Sequence, residues 1–242
     1  MPGFRQGAPL TDQAYHHGNL REALIDAALA LEPEHGALGI SLRELARHVG
    51  VTHPAVYHHF ASKEALVLGV AEDGYARLLA AIREPQLPAP FTGRMAALFR
   101  VIAVGTEYVR FAVENPSRFR FMYGTPPLAS ADARSPIHAR RAEVLEVFAG
   151  VVAEAQRERL IAGSKPHRIA AQLWAEAHGL ATLSIADALD GVPRGSAAKQ
   201  SAGARKRRAL DLARGAMVGF IVGARPQDPE WEMPGIAGGD VD

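Results

Sequence analysis

Apolar residues recur three and four positions apart along nearly the whole chain, and no segment keeps the two-residue alternation of a half-buried strand. That period commits the chain to helices packed on helices. Periodicity and end signals predict about nine of them. The first spans residues 20–34, with a stripe of Leu20, Ala23, Leu24, Ala27, Ala28 and Leu31, capped by Asn19 with Glu22 three residues on. The second begins after Ser41, which forms a capping-box pattern with Glu44, the third after Thr52, and the fourth runs from Ser62 to about Ile82. Pro85, Pro88 and Pro90 stop the fourth and mark a hinge or domain boundary. The fifth covers residues 93–114, and Asn115-Pro116 opens a short sixth ending near Gly124. After a loop at 125–134, Ser135-Pro136 opens the seventh, with Val144, Leu145, Val147, Phe148, Val151 and Val152 as its stripe and Gly163 as its end. The eighth runs from 164–166 to about Leu189, a Gly/Ser/Ala-rich loop follows at 191–204, and the ninth spans 205–222. The tail from Pro226 is expected to be poorly ordered.

The absence of cysteine excludes disulfides, thiolate metal sites and cysteine nucleophiles. No apolar run reaches the roughly 18 residues of a membrane span, and residues 1–11 lack the apolar core of a signal peptide, so a cytoplasmic protein is expected. The chain contains no H-E-x-x-H, G-x-S-x-G, Walker A or G-x-G-x-x-G pattern. His16-His17 and His58-His59 are adjacent pairs with poor geometry for joint ligation, and Glu44 with His48 reads as a solvated pair. The expectation is no enzyme, no metal and no cofactor.

The informative stretch is Ser41 to Lys63, SLRELARHVGVTHPAVYHHFASK. Gly50 stands where a helix must end in a left-handed residue, and Ala46, four residues earlier, lets two helices approach. Val56 faces back onto Leu42, Leu45, Val49 and Phe60. This is the spacing of a helix-turn-helix, whose second helix enters the major groove. Thr52, His53, Pro54, Tyr57, His58 and His59 cannot all be core, and they offer hydroxyl, imidazole and phenol groups to solvent. Lys63, at the start of the next helix, forms a candidate phosphate clamp with the backbone N–H groups there. A helical hairpin used only for packing, as in a protein-interaction module, is the alternative.

Together these residues resemble the TetR family of regulators: the helix-turn-helix, the run Val56 to Phe60, and Ser62-Lys63-Glu64. Tyr15-His16-His17-Gly18-Asn19-Leu20 is similar to one branch of that family. Trp174 with His178-Gly179 resembles a Trp-His-Gly type of C-terminal domain. The resemblance implies an all-α homodimer. Residues 1–66 would form a three-helix DNA-binding domain, 67–225 a helical bundle that binds ligand and dimerises, and 226–242 a flexible tail. It implies base contacts from Thr52, His53 and Pro54, phosphate contacts from Tyr57, His58 and Lys63, and backbone contacts from Ser41, Leu42 and Arg43. The implied partners are a double-stranded operator, a second copy of the chain and an unidentified small-molecule effector, with no membrane. Repression released by the effector is the implied mode.

Net charge is +1, and residues 1–66 hold five Lys/Arg against seven Asp/Glu, with seven of the ten histidines. DNA binding is therefore expected to tighten as pH falls through about 6 to 7, unless these histidines are merely solvated. In the second half, Tyr108, Phe111, Phe121, Met122, Trp174 and His178 are candidates to line a ligand cavity, although aromatics at helical spacing are also ordinary core. Trp174 and His178 lie one turn apart, so His178 is either a ligand contact or a core histidine hydrogen-bonded at a helix crossing. Arg205-Lys206-Arg207-Arg208 reads as a solvated helix end. Ala216, Met217, Phe220 and Ile221, with Leu180, Leu183 and Ile185, form the expected dimer surface.

Overall fold

The computed structural model describes residues 20–87, 91–124, 135–163, 165–191 and 201–224. The Asn19 cap, the motif at 15–19, Pro88, Pro90, Ser164, the loop at 125–134, most of the loop at 191–204 and the tail with Trp231 lie outside them. The described residues form helices α1 (Leu20–His35), α2 (Leu42–Val49), α3 (His53–His59), α4 (Lys63–Arg83), α5 (Gly93–Glu114), α6 (Pro116–Tyr123), α7 (Pro136–Arg157), α8 (Pro166–Ile185) and α9 (Ala202–Gly223), with a 3₁₀ turn at Ala188–Gly191. The protein is all-α: among the described residues there is no strand. The chain divides within α4 into two compact units, Met1–Gly69 and Val70–Asp242.

In the first unit α2 packs on both α1 and α3. Leu24, Ala28, Ile40, Leu45 and Val56 are fully buried, with Phe60 nearly so. α1 buries a wider face than its predicted stripe, adding Ile25 while Ala23 and Leu31 stay half-exposed. Ser41 caps α2 by accepting the Glu44 N–H at 3.1 Å. Gly50 ends the helix at φ +80°, ψ 29°, and its N–H and that of Val51 both reach the Ala46 carbonyl at 3.0 Å. A left-handed residue there closes the turn and satisfies a carbonyl the helix would leave orphaned. Val49, expected in this mini-core, is only half-buried.

In the second unit α5 is the central helix, packed by α7, α8 and α9 and more lightly by α6. Gly105 explains the closeness of α9: a Cβ there would overlap the Met217 sulfur. The seventh predicted helix stops early, at Arg157, because Arg159 adopts φ +56° and the Leu160 N–H turns back to the Ala155 carbonyl at 2.8 Å. α9 begins three residues before its predicted start, where Ser201 accepts the Ala204 N–H at 3.3 Å. Met217 and Ile221 are fully buried within their own chain, which removes both from the expected dimer surface. Their side of α9 faces α5, so one of the two apolar faces of α9 is consumed internally.

Candidate functional site

The exposed row on α3 is built by its short length and its ends. Only Val56 of α3 is buried, and it anchors the helix to the core of its unit. Thr52 precedes the helix in extended conformation and makes no capping bond with its side chain, so its hydroxyl stays available in solvent. Pro54 sits in the first turn, where its missing N–H removes no helical bond. His53 packs edge-on against Tyr57, ring centroids 4.9 Å apart, which holds the phenol in one orientation. Tyr57 is 47% exposed, and His58 and His59 are exposed beside it. Thr52, Pro54, Tyr57 and His58 are thus all left in solvent, offering a hydroxyl, an apolar ring, a phenol and an imidazole of the kinds that can meet a groove and its phosphates.

The start of α2 is different. Ser41 and Arg43 are exposed, but the Leu42 side chain is 7% exposed and belongs to the core. The expectation that Leu42 contacts DNA is corrected for its side chain: it lies on the inward stripe of α2, and only its backbone reaches the helix end. Lys63 is half-buried, and its ammonium donates to the Leu38 carbonyl. One of its three N–H groups therefore ties α4 to the loop before α2, leaving two for another acceptor. Beside it, the backbone N–H, the Ser62 hydroxyl and Lys63 hold the Glu64 carboxyl below the usual carboxylate range. Glu44, read from the sequence as a solvated pair with His48 one turn on, lies 3.3 Å from His35 Nε2. Among the described residues no group of three or more His, Asp or Glu side chains is placed to hold a metal ion. No helix among them is long and apolar enough to cross a membrane.

A second constellation lies inside the Val70–Asp242 unit. Tyr108 Oη is 3.0 Å from His178 Nδ1. Burial lowers the His178 pKa, which keeps its imidazole neutral, and raises that of the Tyr108 phenol. In the tautomer protonated at Nε2, His178 Nδ1 accepts from Tyr108. Tyr75, fully buried on α4, accepts from Arg141 Nε at 3.0 Å and donates to the Met122 carbonyl at 3.4 Å. Tyr123 closes the group: its ring is 4.6 Å from His178, 4.7 Å from Phe119 and 5.6 Å from Tyr75. Burial raises the Tyr123 pKa, and the neighbouring Tyr108 and Tyr75 push it further up. Tyr123 Oη and Trp174 Nε1 are both sealed from solvent, Tyr123 among the hydroxyls of Tyr108 and Tyr75 and Trp174 with its N–H toward the Tyr108 hydroxyl.

Beside this cluster lies an open cavity of about 280 Å³, lined chiefly by Phe119, Arg120, Tyr123, His178, Thr182 and Ile185. Of the candidate pocket residues, His178 lines it, while Tyr108 and Trp174 stand in the polar cluster. Phe111, Phe121 and Met122 are instead buried core side chains. Met122 fills the space over Gly74, where a Cβ would meet its sulfur at 2.6 Å. Tyr75, Tyr123, Arg141 and Thr182 were not legible as site residues. Tyr75 and Arg141 are 66 positions apart, and only packing brings them together.

A family profile described as "Bacterial regulatory proteins, tetR family" matches residues 24–70, and one described as "Tetracyclin repressor-like, C-terminal domain" matches residues 101–205. The HTH-type transcriptional regulator Rv1816 of Mycobacterium tuberculosis is 30% identical over 96 residues, 38% of this chain and 38% of that protein. The HTH-type transcriptional repressor AcnR of Corynebacterium glutamicum is 28% identical over 104 residues, 43% of this chain and 46% of its own. The chain therefore spans less than half the length of each of these relatives. A solved structure of a protein of unknown function from Rhodococcus sp. RHA1 is 30% identical with a TM-score of 0.68, covering 89% of this chain and 100% of that one.

Proposed function

The chain belongs to the TetR family of helix-turn-helix transcriptional regulators, and from that premise we propose that it is a homodimeric repressor released from a palindromic operator by a small molecule. The observation that carries this reading is the row of Thr52, Pro54, Tyr57 and His58 left in solvent by a helix only seven residues long. In this reading residues 1–66 bind DNA, 67–225 bind ligand and dimerise, and 226–242 form the tail. Thr52, His53 and Pro54 meet base edges, with apolar contact to thymine methyls and groove shape supplying much of the specificity. Ser41, Arg43, Tyr57, His58 and Lys63 meet phosphates. The similar AcnR is named a repressor.

Dimerisation is supported by the outer faces of α8 and α9. Leu183 and Val222 are 44% and 39% exposed. Gly215, Gly219 and Gly223 recur every four residues, and a Cβ on any of them would meet nothing within 4 Å. A second copy covering this strip would approach the backbone closely and bury both large side chains. The two recognition helices of such a dimer would have to stand about one helical turn apart, roughly 34–36 Å. An effector releases DNA only by binding the released state more tightly.

Selection of duplexes from a random library, followed by gel shift, tests the reading. A palindromic consensus bound by the parent, with at least fivefold weaker binding by Tyr57→Ala at unchanged dimer mass, is the expected result. Val222→Glu is expected to yield monomers with little operator affinity. Failure to enrich any duplex refutes it.

A further inference from the structure

We propose that the effector is a neutral carbonyl compound, a ketone or an ester, whose oxygen is taken by the His178 Nε2–H and whose apolar body lies against Phe119, Tyr123 and Ile185 in the cavity they line. This rests on the ligand-responsive reading above and names the chemical class that the same unit recognises.

The case begins with which nitrogen of His178 carries the proton. Nδ1 is 3.0 Å from Tyr108 Oη. The Trp174 N–H, which can only donate, and the Tyr123 hydroxyl both hydrogen-bond to the Tyr108 oxygen. Two donors fill its two lone pairs, so the phenol gives its own proton to His178 Nδ1. Burial keeps the imidazole neutral, and its single proton is then on Nε2. Packing fixes the ring: its centroid lies 4.6 Å from that of Tyr123 and 5.4 Å from that of Phe119. Nε2 has no hydrogen-bond partner among the described residues and, unlike Tyr123 Oη and Trp174 Nε1, it is not sealed from solvent. His178 stands half-buried on the cavity wall, so the open space its Nε2–H meets is that cavity.

The rest of the wall narrows the class. Phe119 and Ile185 supply apolar surface, and Tyr123 offers its ring alone, because its hydroxyl is sealed within the cluster. Thr182, one turn beyond His178 on α8, adds a hydroxyl on the same face. Among the described residues the wall has no Asp or Glu, and Arg120, its one charged residue, already has partners of its own. A carboxylate would be stripped of water there with no unengaged cation to meet it, whereas a neutral carbonyl needs only the neutral donor. The cavity sets the size. At about 280 Å³ it falls just under the usual range of small-molecule pockets, ~300–1,000 Å³, which suits a short alkyl chain or a single ring.

The test measures dissociation constants by calorimetry on the full chain. The ketone probes are 2-heptanone and acetophenone, each beside the hydrocarbon in which CH₂ replaces the oxygen, 2-methyl-1-heptene and α-methylstyrene. The ester probes are methyl hexanoate and methyl benzoate, each beside its carboxylate. At least one of the four carbonyl compounds is expected to bind. A ketone that binds should do so about fivefold or more tightly than its hydrocarbon twin, which would dehydrate the Nε2–H and leave it unpaired. An ester that binds should exceed its carboxylate. His178→Phe, which keeps a ring and removes the donor, is expected to erase the ketone's advantage. Nitrogen NMR of the parent's imidazoles keeps the test valid if that variant folds poorly. The His178 signals, identified as those lost in His178→Gln, should show the proton on Nε2, and the ketone should shift that resonance. No binding of any carbonyl compound, a hydrocarbon or carboxylate that matches its partner, a proton on Nδ1, or undiminished ketone preference in His178→Phe overturns the proposal. A gel shift separates it from the reading it rests on. Carbonyl binding that leaves DNA bound sinks ligand release alone, whereas release by other molecules without carbonyl binding sinks the carbonyl class alone.

Discussion

Replacing Gly50 with alanine isolates the conformational cost of the helix-turn-helix corner from any steric one. Gly50 holds φ +80°, and a Cβ there would meet nothing within 4 Å. The whole penalty is therefore the clash of a side chain with its own backbone in the left-handed region, roughly 1–2 kcal/mol. Alanine also restricts the unfolded chain, which returns about 0.4–1 kcal/mol. The net expectation is a loss of about 0–1.6 kcal/mol, the balance of those two effects. Gly150, in the middle of α7, is the matched control. A Cβ there would likewise meet nothing within 4 Å, but the backbone is helical. At that position alanine removes only the entropic handicap of glycine, so Gly150→Ala should stabilise by roughly 0.5–1 kcal/mol. Urea unfolding of parent and variants reads both, as midpoint shifts of opposite sign at constant slope. Gly50→Asn should fall between parent and alanine, because asparagine tolerates this region. If Gly50→Ala stabilises as Gly150→Ala does, the left-handed cap is not what holds the corner.

Three further outcomes follow from the geometry. Tyr75→Phe removes the acceptor of Arg141 Nε and the donor to the Met122 carbonyl; urea unfolding should show a loss of about 1–2 kcal/mol, with a far smaller effect pointing to a solvated pair. His178 has a folded pKa lowered by burial, so the unfolded chain takes up the proton first. Its contribution to stability is complete above the unfolded value, about 6.5, and declines as pH falls through the lower folded one. Melting temperatures from pH 7.5 down to 5 should therefore drop less in His178→Gln than in the parent. Arg43 is exposed and has no pairing partner among the described residues. Arg43→Ala should leave stability within about 0.5 kcal/mol and lower the slope of log operator affinity against log salt by about 1, and an unchanged slope would place Arg43 off the phosphates.

Local physics made the helices and the corner readable from the chain alone. The Ser41–Glu44 box, the left-handed stop at Gly50 and the proline after Asn115 are decisions taken within four or five residues, and the structure keeps each of them. Sequence also separated the polar side of α3 from its single anchor, Val56, because a seven-residue helix has room for only one buried stripe. What periodicity could not choose was which surface an apolar stripe would meet. Met217 and Ile221 read as a free face until Gly105 opened a slot on α5 for the methionine. Nor could periodicity show that the fold sets the Leu38 carbonyl, 25 residues away from Lys63, beside its ammonium and so engages one of its three N–H groups. The polar cluster is the extreme case. Trp174 and His178 stand one turn apart on one helix and are legible as a pair, but Tyr75, Tyr108, Tyr123 and Arg141 come from four other helices, and only packing brings them beside that pair.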